Sequence, residues 1–238
     1  METTDLHPAR RAAPAPHAAD ARRPFALALV DALAIAAFAA LALDLLLRLV
    51  ARRGGATAPA LFAALAGWAL ADLVSGLAHW ICDTFFHETT PLLGRAFIRP
   101  FREHHLDPTA IARHGFLEVN GSNCLVLTPV MLAARGLGDT FLHDAALLAF
   151  AIAIFGTNQF HKWAHLEGRL PPAVASLQRT GLILSREHHL RHHRAPHREA
   201  YCITSGWMDL PLDRWRVLPR VERFLRGRRG FATADLRR

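Results

Sequence analysis

Four long apolar runs confine this chain to a bilayer. Between Arg23 and Arg48 lie 24 residues whose only charged side chains are Asp31 and Asp44, and between Arg53 and Asp83 lie 29 more, broken only by Asp72. A helix crossing the hydrocarbon core needs about 20 mostly apolar residues, so both runs qualify despite their acids. Val119 to Ala134 and Ala145 to His161 add uncharged runs of 16 and 17 residues. By length alone these two also suit buried core helices or a re-entrant hairpin, with Gly136 and Gly138 marking the tight turn between them. The expected fold class is an all-α integral membrane protein with about four transmembrane helices, at residues 25–48, 56–80, 119–135 and 142–161.

Charge placement favours four spans. With the N-terminus inside, residues 1–24, 81–118 and 162–238 are inner regions and hold 24 of the 28 basic residues. That is the asymmetry of the positive-inside rule, and Trp80 and Trp163 fall where the second and fourth spans exit inward, as interfacial Trp does. The net charge of +8 then reflects topology and anionic lipid headgroups rather than nucleic acid. Three Cys with no CxxC spacing exclude a disulfide scaffold and a Cys-rich zinc module. Residues 1–24 read as a disordered tail and 25–238 as a single membrane domain. The apolar stretch after the tail exceeds the h-region of a cleaved signal peptide. Leu212–Arg229 reads as an amphipathic interfacial segment, with Pro219 expected to break it in two.

Twelve of the 15 His fall in the inner regions or at the inner ends of spans, chiefly in 79–118 and 161–197. His161 and His165, in HKWAH, stand i, i+4 on one helix face, and His79 and Asp83, in HWICD, have the same spacing. His104 and His105 are adjacent, and His189, His192 and His193 form an HxxHH box. One ion takes three or four protein ligands, so these nine residues point to two metals. Imidazole suits iron, zinc, copper and nickel alike. The soluble di-iron bundle design requires Glu-x-x-His, which is absent, as is HExxH; a His-rich, carboxylate-poor site at a membrane surface is the other di-iron arrangement. His188, His114, His197 and Asn158 are second-tier candidates. Glu103, Asp107, Glu118 and Glu187 are candidate carboxylates for holding imidazole N–H groups. Arg99, Arg102, Lys162 and Arg194 are candidate phosphate partners.

The stretches HWICDTF, GRAFIRPFREHHLDPTAIARHGFLEVNGSNC, NQFHKWAH and ILSREHHLRHHRAPHREAYCITSGWMDLPLD resemble the Kua-type lipid desaturase family, in particular its plasmanylethanolamine desaturases and their bacterial counterparts. The resemblance spans roughly residues 70–225. It implies a membrane oxidoreductase with two iron ions and O2 as co-substrate, which converts a 1-O-alkyl glycerophospholipid into a cis vinyl ether in plasmalogen synthesis. A plant branch looks similar but has Gln where this chain has His188 and Arg where it has His114. Relative to the wider HxxxH and HxxHH pattern, this chain has Asp83 at the end of the first box and Phe101 where a box His would stand. Asp83 and His114 are therefore candidates for the vacated positions.

No flavin, NAD or haem motif occurs in the chain, and the resemblance implies an external electron donor, cytochrome b5 or ferredoxin-like. An Ala- and Arg-rich composition suggests a GC-rich bacterial genome, hence the inner membrane with both termini cytoplasmic, or the endoplasmic reticulum in a eukaryote. Competing readings are an acyl-lipid desaturase or hydroxylase of the same di-iron class, a His-rich metal transporter or sensor, and a basic membrane scaffold.

Overall fold

A computed structural model describes residues 24–52, 57–91, 93–94 and 98–227. The expected tail falls almost wholly outside the described residues, as does the end of the amphipathic segment.

The four apolar runs form α1 (Phe25–Ala51), α2 (Thr57–Thr84), α5 (Phe116–Arg135) and α6 (Phe141–His165), each long and apolar enough to cross a membrane. Between the second and third lie α3 (Arg99–Leu106) and α4 (Ala110–Arg113); after the fourth come α7 (Pro172–Arg179), α8 (Arg186–His192), α9 (Asp209–Arg214) and α10 (Val217–Gly227). Helix α6 is the axis of the bundle and packs against α2, α5 and α1, while α1 also packs on α5.

Helix α1 shows how little of such a helix needs protein around it. Ala34, Phe38, Leu41 and Leu45 recur at helical spacing and are buried, whereas Leu33, Leu43, Leu47 and Val50 are exposed. In lipid those leucines lose nothing by facing outward. Close packing of α2 on α6 rests on small residues: a Cβ on Gly67 would strike the backbone of Ala146. Pro129 inside α5 removes a backbone donor, and Thr128 Oγ1 donates to Cys124 O at 2.7 Å one turn back, a side-chain adjustment typical of spanning helices.

The spans run past their expected inner ends, and this positions the site. Helix α2 continues to Thr84, so His79 and Asp83 share one helix, and α6 continues to His165. At the opposite end of the bundle Asp44 pairs with Arg135 at 2.7 Å and Arg48 at 3.2 Å, while Arg52 pairs with Asp139 and, at 3.2 Å, with Asp144.

Two local expectations are corrected. Trp80 does not face outward from the bundle: it is 5% exposed and packs edge-on against Phe85 beside Tyr201 and Leu212. The amphipathic segment breaks at Trp215 and Arg216, the latter at φ 47°, and not at Pro219. Pro219 lies in the first turn of α10, where a helix has no use for its missing N–H.

Candidate metal centre

Four elements bring histidines to one end of the bundle. Helix α2 contributes His79, α3 contributes His104 and His105, α6 contributes His161 and His165, and α8 with its C-cap contributes His189, His192 and His193. Ser185 caps α8 by accepting the His188 N–H at 3.1 Å, which fixes where the HxxHH turn begins.

The donor atoms fall into two groups. In one, atoms of His104, His161, His165, His189 and His193 lie within 4.8 Å of one another, and in the other so do atoms of His79, His104, His105 and His192. His104 belongs to both. Within the first group the Nε2 atoms of His161, His165 and His189 are 2.9–3.0 Å apart, and His193 Nε2 is 3.0 Å from that of His189. Three nitrogens in a triangle cannot all be satisfied by hydrogen bonds, since each carries either one proton or one lone pair. The same spacing is what adjacent nitrogens adopt about a shared ion at roughly 2.1 Å.

A second observation agrees. His79 Nε2, His104 Nε2 and His192 Nε2 are buried without hydrogen-bond partners, although a buried polar atom ordinarily has one. On each ring the other nitrogen is engaged by a main-chain carbonyl: His79 Nδ1 donates to Tyr201 O at 3.0 Å, His192 Nδ1 to Glu199 O at 2.9 Å, and His104 Nδ1 to Phe101 O. Such bonds fix the tautomer that leaves Nε2 as a lone-pair donor. Burial first, then neighbouring imidazoles, holds His104 and His189 well below the usual imidazole pKa, and likewise His193, so the rings stand neutral as ligands must. The residues therefore fit a two-metal centre.

Asp83 is at the heart of the second group. Its Oδ2 lies 3.0 Å from His105 Nε2 and 3.3 Å from both His79 Nε2 and His192 Nε2. Phe101 packs against His79, with ring centroids 5.1 Å apart. Of the second-tier residues, His197 is at the edge, its ring 4.6 Å from that of His105 and its Nδ1 bonded to His192 O. His188 turns away to Asp209 Oδ2 at 2.7 Å, and His114 pairs with Glu118 at 3.0 Å. Asn158 bonds Val119 O and Asn123.

Of the four expected carboxylate partners Glu118 meets an imidazole, that of His114 outside the two donor groups, and the other three are elsewhere. Glu103 pairs with Arg99 at 2.6 Å, Asp107 with Arg113 at 2.6 Å, and Glu187 is exposed. Glu103 finds Arg99 one turn back on α3, and Asp107, the C-cap of α3, finds Arg113 on α4. The phosphate candidates are similarly occupied: Arg102 donates to Cys82 O, Phe85 O and Phe86 O, and Lys162 to His114 O. Arg194 is exposed beyond α8.

Sequence reasoning missed the residues that aim the carbonyls. Asp72, fully buried in α2, accepts from Ser205 N at 2.7 Å, Gly206 N at 3.0 Å and Met208 N at 2.9 Å, and Ser75 Oγ accepts from Ile203 N at 3.1 Å. Asp209 Oδ1 accepts from Cys202 N at 3.0 Å. These bonds lock 202–208 against α2 and so carry the Tyr201 and Glu199 carbonyls to His79 and His192. Between those two, Ala200 sits at φ 56°, a left-handed conformation costing an L-residue about 1–2 kcal/mol, and the carbonyls on either side of it reach different rings. The signal was available in an acid inside an apolar span, rarely there without a role.

Beside the centre is a cavity of about 480 Å³ lined by α2 at Val74, Ser75 and Ala78, by α5 from Glu118 to Leu127, by α6 at Ile154, Thr157 and Asn158, and by Phe101. Its lining is mostly apolar.

Membrane-length helices that end in a buried, two-lobed histidine centre next to an apolar cavity define a membrane-integral protein with a candidate metal centre. A lipid desaturase domain model matches residues 68–235, and the chain belongs to that family of oxidoreductases. It is 43% identical over 205 residues to plasmanylethanolamine desaturase of Myxococcus xanthus, covering 84% of this chain and 72% of that protein. Plasmanylethanolamine desaturase 1 of Mus musculus is 42% identical over 205 residues, covering 82% and 76%. Fatty acid desaturase 4, chloroplastic, of Arabidopsis thaliana is 40% identical over 166 residues, covering 69% of this chain and 50% of that protein. No solved structure matches the chain.

Proposed function

We propose that this protein is an O2-dependent di-iron desaturase that introduces the vinyl-ether double bond into 1-O-alkyl glycerophospholipids, most suitably those with an ethanolamine headgroup. The observation that carries the reading is the paired histidine centre sharing His104, in a family whose similar members are named for this reaction. Removing two hydrogens from a saturated chain is an oxidation, which zinc cannot support, and imidazole suits iron. Two irons, when bound, supply O2 activation, with O2, two electrons and two protons consumed and two waters formed with each double bond.

The chain's own part is to hold and shield. His161, His165, His189 and His193 would hold one ion and His79, His105 and His192, with Asp83, the other; His104 stands between them and would give its one free nitrogen, Nε2, to one of the two. Carbonyls of Tyr201, Phe101 and Glu199 keep three of these rings in the tautomer that offers Nε2. Burial of the centre keeps bulk water from the reacting carbons. The site lies at the ends of α2 and α6, at the depth of a headgroup rather than of the bilayer midplane. A lipid with its headgroup at the interface therefore presents its first chain carbons there, which favours the ether-adjacent bond over a mid-chain one.

Electrons are assigned to a separate carrier, cytochrome b5 or ferredoxin-like, since the chain has no flavin, NAD or haem motif. The histidine end is assigned to the cytoplasmic side of the bacterial inner membrane, from the distribution of basic residues. Expression in a host that makes ether lipids but no plasmalogens tests the function. Acid-labile vinyl ethers should accumulate with the wild type and not with His165→Ala. Unchanged alkyl lipids alongside new hydroxy or acyl-unsaturated lipids would overturn the substrate assignment.

A further inference from the structure

We propose that the cavity beside the metal centre seats one hydrocarbon chain of a membrane phospholipid, drawn sideways from the leaflet at the histidine end through the gap between α2 and α5. The proposal rests on the reading that the reacting group belongs to a lipid, and it adds where that lipid lies and which way it points.

Helix α6 forms the back wall, with α2 and α5 on its two sides. Of the lining residues, Ala78, Pro100, Ser122 and Val126 are exposed, so the cavity has a lip on the bilayer-facing surface and is not sealed. Along α5 the lining repeats at helical spacing from Glu118 to Leu127, about 13 Å of axial rise. Half of a hydrocarbon core is about 15 Å, so the groove runs nearly the depth of one leaflet. An aqueous ligand has no reason to occupy a slot of that length facing lipid; an alkyl chain does.

Polarity sets the direction. The centre-proximal end carries the His114–Glu118 pair, with Lys162 on the His114 carbonyl, whereas the far end is Val74, Val126 and Leu127. Glycerol oxygens then belong beside the centre and the methyl end points to the midplane. Continuity with the centre comes from Phe101, which lines the cavity and packs on His79, and from Asn158, one turn from His161.

The two amides in this wall keep its width. Asn158 Nδ2 donates to Val119 O at 2.9 Å and Asn123 Oδ1 at 3.1 Å, and Asn123 Nδ2 donates to Ile154 O at 3.2 Å. Each helix thus holds the other's backbone, with no need for α2 and α5 to close over the gap.

Photolabelling tests this without turnover. Purified protein in detergent is irradiated with an ether phospholipid carrying a diazirine midway along its alkyl chain, and labelled residues are mapped. Labelling is expected at Val74, Val126 and Leu127, and excess unlabelled ether phospholipid should suppress it. Val126→Trp or, as a second lip variant, Ser122→Leu should abolish label at Val74 and Leu127 with metal content retained, while Leu125→Trp, at the same depth on the bilayer face, should not. Label spread evenly over Leu125, Val130 and Leu132, indifferent to either lip variant, would mean annular lipid only and overturn the proposal. Because labelling needs no reaction, a labelled groove without vinyl-ether product would refute the proposed function and leave the chain site standing.

Discussion

Asp83 Oδ2 stands 3.0 Å from His105 Nε2, joining the inner end of α2 to α3 across 22 residues of sequence. The same oxygen is 3.3 Å from His79 and His192, so one carboxylate gathers three of the four histidines of its group. Asp83→Asn keeps the shape but replaces half the acceptor set with a donor. It is expected to lower metal affinity or turnover by about 10- to 100-fold, read by iron per chain and vinyl-ether yield. An unchanged variant would make Asp83 a bystander.

His104 is common to both donor groups. Its ring offers one nitrogen, Nε2, to one ion, so His104→Ala, like His193→Ala, should deplete one ion and leave the other largely filled. Elemental analysis of purified variants decides this, and loss of both ions from either variant would contradict two separately held sites.

Neighbours His188 and His189 should behave oppositely. His189→Ala removes a ring that touches three others and should abolish activity and metal retention. His188→Ala removes only the partner of Asp209, so metal should stay at wild-type stoichiometry with a stability loss of about 1 kcal/mol. Thermal unfolding with metal analysis separates the two cases.

Asp72→Ala strips acceptors from the N–H groups of Ser205, Gly206 and Met208. Buried donors left unpaired cost about 1–3 kcal/mol each, so a loss of at least about 3 kcal/mol is expected, along with weaker metal retention as the Tyr201 carbonyl drifts from His79. Retained stability would mean that 202–208 is held by other contacts.

Acid should destabilise the metal-free protein. His104, His189 and His193 are held below the ordinary imidazole range by burial, and they stay neutral when folded. Unfolded, they bind protons below about pH 6.5, so acidification favours the unfolded chain. Tm of metal-free protein should be flat above pH 7 and fall steadily toward pH 5. Metal should raise Tm at pH 7 by an amount that shrinks on acidification, because protons compete for the same nitrogens. A pH-independent Tm would refute neutral buried rings.

How far the site could be read from sequence follows the range of the interactions. The i, i+4 pairs His161 with His165 and His79 with Asp83 were legible because helical spacing is local, and so was the HxxHH box. The carboxylates were not. Glu103, Asp107 and Glu187 were attractive by proximity along the chain, yet their partners are Arg99, Arg113 and solvent. The groups that orient the rings instead are carbonyls, invisible to residue type, set by Asp72 from 133 residues away. Pro219 misled for a similar reason: its effect depends on whether it falls inside a helix or in its first turn.

By itself the sequence determined that the chain enters a membrane, that its histidines gather at one end, and that they are numerous enough for two metals, because apolar run length and helical periodicity act between near neighbours. Only the tertiary structure decided that His104 stands between the two donor groups, that His188 and His114 face away, that Asp83 is central, and that a groove opens between α2 and α5. Those outcomes depend on how helices distant in sequence pack around α6, and packing is decided by shape and by unpaired polar groups finding partners.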